Sequence, residues 1–173
     1  MDALSANTTG KFNTGVGYKA LFCNTTGCYN TAVGTAALCW NRTGRDNTIM
    51  GYGAAYVNLT GSYNTAMGLN ALYQLSSGCY NTASGYQSLR VMTTACNNTA
   101  HGAYALQNNT TGYENTATGY SAAKDNTTGW GNTAMGTYAL SGNTTSERIV
   151  AVGYKALGGA VNARNGHTAI GFC

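Results

Sequence analysis

The residues of this chain that could do chemistry are few, and their spacing says more than their types. Six cysteines stand at Cys23, Cys28, Cys39, Cys79, Cys96 and Cys173. None falls in a Cys-x-x-Cys pair, so no metal site of the zinc kind is expected. His101 and His167 have no acid or nucleophile in step with them. The acids Asp2, Asp46, Glu114, Asp125 and Glu147 are scattered and offer no paired carboxylates for acid–base work. No catalytic residues and no cofactor are expected, and an enzyme is not the reading. Gly15-Val16-Gly17-Tyr18-Lys19-Ala20 fits a loose dinucleotide pattern without the strand–helix–strand context that gives it meaning.

The asparagine amide is the recurrent chemical group. Asn-x-Ser/Thr occurs at Asn7, Asn24, Asn41, Asn58, Asn109, Asn126 and Asn143, and again at Asn97 and Asn108. In a secreted chain each is an expected N-glycan acceptor. The competing reading is turn chemistry, since Asn and Thr bond readily to nearby backbone.

The elements that must position these groups follow from one interval. Asn-Thr-Ala-x-Gly begins at Asn13 and returns at Asn30, Asn47, Asn64, Asn81, Asn98, Asn115 and Asn132, each step being 17 residues. A ninth copy starts at Ile149 and a tenth, one residue late, at His167. With the first residue as position 1, Thr holds position 2 in all copies but Val150. Position 5 is Gly17, Gly34, Gly51, Gly68, Gly85, Gly102, Gly119, Gly136, Gly153 and Gly171. Positions 8 and 9 read Ala-Leu, and positions 12 to 15 read Asn-Thr-Thr-Gly.

Seventeen residues are too few for a pair of helices but suit one coil of a solenoid. The expected fold is all-β, a β-solenoid or β-roll of about ten coils with parallel stacked strands. It forms a single repeat domain over residues 1–173, with residues 1–12 as a partial coil. Two or three short strands per coil are expected. The position-5 glycines mark corners that need a left-handed backbone or close approach. Small residues at positions 3 and 8 suit a thin interior, which Leu at position 9 and Val, Met or Ile at position 4 fill. Position 4 also admits Ser84, His101 and Thr118, as a half-buried site would. At the strand spacing of about 4.8 Å, ten coils make a rod of roughly 45–50 Å. The asparagines Asn30, Asn47, Asn64, Asn81, Asn98, Asn115 and Asn132 then stack as an amide ladder.

The same register orders the cysteines. Cys79 and Cys96 share position 16 one coil apart, within disulfide reach by their Cα spacing. Cys23 and Cys39 are a second candidate pair, nearly in register. Cys28 and Cys173 are left over, free or used between subunits.

The run Asn-Thr-Ala-Val-Gly-Tyr-x-Ala-Leu-x-x-Asn-Thr-Thr-Gly resembles repeats of phage and giant-virus tail-fibre-like proteins. The copies at Val150-Ala151-Val152-Gly153 and Thr168-Ala169-Ile170-Gly171 are similar to head repeats of trimeric autotransporter adhesins. The resemblance covers essentially the whole chain. It implies an extracellular, cell-surface or virion-surface fibre, trimeric in the adhesin case, with a surface glycan as the partner an adhesive role would need.

Composition agrees with a structural rather than a charged binding surface. Only 8% of residues are charged, against roughly 25% in ordinary domains. The net charge of +4 is spread without a basic cluster, so nucleic acid is not an expected partner. No apolar run is long enough for a membrane span, and no secretory h-region opens the chain. The first residues enter the register near position 6 and the last stands at position 7. Two readings of these ends stand open: a piece of a longer fibre, or copies that continue one another head to tail as a filament. The alternative from another class is a ligand-binding solenoid, for ice or for glycans. Rows of Thr suggest ordered water, but adjacent Thr-Thr pairs on a strand point to opposite faces.

Overall fold

The computed structural model describes residues 2–159 and 165–172. Twelve short strands form: β1 (Thr14–Val16), β2 (Thr31–Val33), β3 (Thr48–Met50), β4 (Val57–Asn58), β5 (Thr65–Met67), β6 (Gln74–Leu75), β7 (Thr82–Ser84), β8 (Thr99–His101), β9 (Thr116–Thr118), β10 (Thr133–Met135), β11 (Val150–Val152) and β12 (Thr168–Ile170). No helix occurs among the described residues. Ten strands pair in parallel in the order β1-β2-β3-β5-β7-β8-β9-β10-β11-β12, and β4 pairs with β6. Partners are residues of like position, Thr14 with Thr31 and Ala134 with Ala151. The molecule is the parallel β-solenoid that the 17-residue interval predicts. It differs in carrying one three-residue strand per coil, with turns in place of the second and third strands except at β4 and β6.

Alternation along each strand sets the layers. Position 3 points inward: Ala32, Ala66, Ala83, Ala100, Ala117, Ala134 and Ala151 are fully buried. Positions 2 and 4 point out. Met50, Met67 and Met135 are each about half exposed, which corrects the expectation that position 4 adds bulk to the core. The core is narrower, built from Ala at position 8 and Leu at position 9, with Leu21, Leu38, Leu72, Leu89, Leu106 and Leu140 inaccessible to water.

Two kinds of glycine hold the corners. At position 5 the backbone is left-handed-like, φ +137° at Gly85, and a Cβ there would lie 2.6 Å from the carbonyl of Gly102 in the next coil. At position 15 the reason is proximity: a Cβ on Gly27 would strike the carbonyl of Gly44. Position 5 thus needs glycine for conformation, and position 15 favours it for space, although Ala95 and Ser146 also stand there.

Non-glycine residues also turn left-handed, at positions 7, 9 and 17 of nearly every coil. Lys19, Leu21 and Tyr29 have φ of 56°, 53° and 59°. Each such residue costs of order 1 kcal/mol or more. The cost is offset because the left-handed turn aims the N–H along the rod. Leu21 N–H donates to Ala37 (3.0 Å), Tyr29 N–H to Lys11 (3.0 Å) and Ala36 N–H to Tyr18 (2.7 Å). The axial hydrogen bonds thus continue around the corners between strands.

Candidate functional site

Two amide ladders run along the interior. At position 1 the asparagine oxygen accepts from the coil above, twice in most coils. Asn81 Oδ1 receives the backbone N–H of Asn98 (3.0 Å) and its Nδ2 (3.3 Å). The amide nitrogen of Asn81 donates to Ala95 O (2.9 Å), the position-15 carbonyl of its own coil. The stacking expected of Asn30, Asn47, Asn64, Asn81, Asn98, Asn115 and Asn132 is present, and all are buried.

The second ladder lies at position 12. Asn41 Nδ2 donates to Asn24 Oδ1 (2.6 Å) and Asn58 Nδ2 to Asn41 Oδ1 (3.0 Å). Each also donates to the position-15 carbonyl, Asn41 to Gly44 (2.9 Å). These are the sequon asparagines. Asn24, Asn41, Asn58, Asn109, Asn126 and Asn143 are fully buried, and Asn7, half-buried, donates to Gly10 O (2.9 Å). The nitrogen a glycan would need is engaged inside the coil, so the folded chain does not present this series as acceptors. The turn reading of the motif is the one the coil uses. Asn97 and Asn108, one step out of register, stand outside: Asn97 is exposed and Asn108 half-buried, bonded to Asp125 (3.1 Å).

The cysteine pairs are a second correction. Cys23, Cys28, Cys39, Cys79 and Cys96 are unbonded thiols. Cys96 Sγ accepts the backbone N–H of Cys79 (3.1 Å), and each thiol turns to a carbonyl of its own coil, Ser77 and Thr94. In-register parallel strands keep like Cβ atoms about 4.8 Å apart, beyond the roughly 3.5–4.5 Å a disulfide needs. The Cα spacing that suggested the bond is thus not sufficient. Cys39 is buried while Cys23 is only half-buried. Burial, then the neighbouring Cys23 thiol, pushes the Cys39 thiol above its ordinary value. Cys173 lies outside the described residues.

The outer face of the ten-stranded sheet is the surface available to a partner. Position 2 gives an in-register row of Thr14, Thr31, Thr48, Thr65, Thr82, Thr99, Thr116 and Thr133. Beside it run Met50, Met67, Met135 and the exposed His101. Past the glycine corner, tyrosine occupies position 6 in every second coil: Tyr18, Tyr52, Tyr86, Tyr120 and Tyr154. Between them Tyr104 and Tyr138 interleave edge to face, with centroids 5.2 Å for Tyr86–Tyr104 and 5.4 Å for Tyr120–Tyr138. Loss of hydration, then the neighbouring phenols, raises the Tyr104 and Tyr138 hydroxyls above their ordinary value. Lys19, over the ring of Tyr18 at 5.2 Å, is raised by the hydrogen bond to that phenol.

Nothing on this face gathers a reactive group. Among the described residues no cluster of three His, Cys, Asp or Glu side chains forms, and no helix is long and apolar enough to cross a membrane. Two shallow grooves lie on the surface, one lined by Thr26, Cys28, Tyr29, Thr43, Arg45 and Asp46 and another near Tyr138 and Tyr154. No protein-family model, no curated protein and no solved structure matches the chain.

Proposed function

We propose that the chain is a structural element of an extracellular or virion-surface fibre, joined head to tail with copies of itself. One observation carries this reading: each coil bonds to the next through the same axial set of backbone groups, from Thr14 N–H to Asn30 O through Thr133 N–H to Ile149 O. The outer edge of β12 therefore carries the kind of edge that β11 offers to β12, and a further coil can dock there by the same register. Such a contact is heterologous and grows without closing.

Electron microscopy of the concentrated chain tests the reading. Filaments with an axial rise of about 48 Å per ten coils are expected at the strand spacing. A bulky folded tag at the C-terminus should stop elongation. A chain that stays a discrete monomer or trimer at high concentration overturns head-to-tail assembly.

A second reading, a solenoid that binds ice or glycans, is favoured by the in-register threonine row at position 2. That row lies on one face, unlike the adjacent Thr-Thr pairs of positions 13 and 14, of which the position-13 hydroxyl bonds along the rod, as Thr25 does to Arg42 O (2.8 Å). Thermal hysteresis in a freezing assay would support it, and freezing indistinguishable from buffer, with no glycan retained, would remove it.

A further inference from the structure

The position-12 ladder has a gap. Leu75 and Met92 replace asparagine, and the buried Oδ1 of Asn58 is left with no hydrogen-bond partner. The gap opens between the coil that starts at Asn47 and the coil that starts at Asn64. Two tyrosine stacks bridge that same pair of coils. Tyr63 and Tyr80 lie face to face, centroids 4.8 Å apart and planes 1° from parallel. Tyr56 and Tyr73 do the same at another point of the coil, 5.3 Å and 8°. Elsewhere among the described aromatic pairs, stacked rings join a tyrosine to Phe or Trp, and tyrosine pairs meet edge to face.

We propose that these two stacks are sites of oxidative tyrosine coupling, which staples the coils where the amide ladder is missing. Parallel side chains in register set each ring's ortho carbon over its counterpart. Edge-to-face pairs such as Tyr86–Tyr104 set an edge against a ring face and lack that match. Tyr63 and Tyr80 are 41% and 59% exposed, so an oxidant can reach them. Both backbones are pinned, Tyr63 N–H to Arg45 O (3.0 Å) and Tyr80 N–H to Ser62 O (3.2 Å), so the rings stay paired.

The oxidant is hydrogen peroxide used by a haem peroxidase. It removes one electron and the hydroxyl proton from each phenol. The two phenoxyl radicals join in a new carbon–carbon bond between ortho Cε atoms. Each ortho carbon then gives up its hydrogen to solvent as the hydroxyl oxygen is reprotonated. In sum, two tyrosines and one hydrogen peroxide give one dityrosine and two waters.

The test uses the full folded chain, dilute, with peroxidase and peroxide. Monomers are isolated, methionine sulfoxides reduced, and the chain cleaved at methionine. Cleavage at Met50, Met67 and Met92 separates residues 51–67 from 68–92 unless a cross-link holds them. The expected result is a joined fragment with dityrosine fluorescence. It should be lost in the Tyr56→Phe/Tyr63→Phe double variant, which keeps both rings stacked. It should persist in Tyr104→Phe. No joined fragment from the folded chain overturns the proposal. So does an equal yield from chain unfolded in urea, or dityrosine carried mainly by the Tyr86–Tyr104 pair.

Discussion

The two amide ladders use the same residue in the same coil, yet one is continuous over Asn13–Asn132 and the other breaks at Leu75 and Met92. The difference lies in what each oxygen holds. At position 1 the oxygen accepts a backbone N–H of the next coil, as Asn64 Oδ1 does from Asn81 N at 3.0 Å. At position 12 it accepts a side-chain amide of the next coil, while the backbone N–H is satisfied within its own turn, Asn41 N to Leu38 O at 3.3 Å. Removing a position-12 asparagine therefore strands one side-chain oxygen and no main-chain group. Removing one at position 1 takes the acceptor from a buried backbone N–H of the next coil, as Asn81 Oδ1 serves Asn98 N–H. The coil that replaces Asn with Ile149 keeps the rule, because Ile149 N–H still reaches Asn132 Oδ1 (3.0 Å).

The sharpest way to break this comparison is a pair of substitutions. Asn81→Leu should cost about 3 kcal/mol or more, since several buried groups lose partners at 1–3 kcal/mol each. Asn126→Leu should cost clearly less in the same denaturant titration. Equal losses would end the distinction between the ladders. Next in size, Gly85→Val and Gly136→Val should each destabilise by roughly 1–3 kcal/mol from backbone strain alone. Their φ values, +137° and +130°, make the corner the same beside the gap and far from it. Markedly unequal melting shifts would mean that the gap loosens the corner too.

A smaller effect separates shape from contact. Gln87 is left-handed, φ 54°, at a position where Lys19 and Lys155 also sit. Gln87→Lys should be near neutral, and Gln87→Val should cost about 1 kcal/mol because a branched Cβ resists that backbone. Smaller again is the effect of mending the gap. Leu75→Asn alone adds a buried amide, whereas Leu75→Asn with Met92→Asn joins Asn58 to Asn109 through three consecutive amide links. The double variant should be more stable than the sum of the singles by about 0.5–1 kcal/mol, within the range for residues in one network. Strict additivity would count against a cooperative ladder.

The weakest lever is base. The Tyr104 and Tyr138 phenols are raised in the folded chain above their ordinary value of 10.0. A raised value means that the neutral form is favoured by folding, so their contribution is whole below pH 10 and is lost as pH climbs through the folded value. Melting temperature should fall above pH 10, and less so in Tyr104→Phe/Tyr138→Phe. An unchanged alkaline profile in that variant would place the weakness elsewhere.

The coil, its stacking and the inward Ala and Leu were legible in the sequence because a 17-residue interval repeats the same environment many times. The left-handed residues leave a fainter signal. Positions 7, 9 and 17 carry Lys, Ala, Gln, Tyr, Leu and Glu, but never Val, Ile or Thr in a chain rich in Thr. That omission is what a left-handed backbone imposes on residues with branched Cβ atoms. The burial of Asn24 and its kin was hidden for another reason: Asn-Thr-Thr-Gly suits a surface turn equally well, and only stacking shows which way the amide faces. A shared register places Cys79 and Cys96 one coil apart but does not carry the Cβ geometry a disulfide needs.

Because the corner residues and the strands alike send their N–H groups along the rod, the molecule is mechanically uneven. A pull along its length loads the bonds of one interface in the direction that opens them, and coils should peel away singly from an end. A force across the rod must instead shear many interfaces together. Such a body resists bending and sideways load better than axial tension.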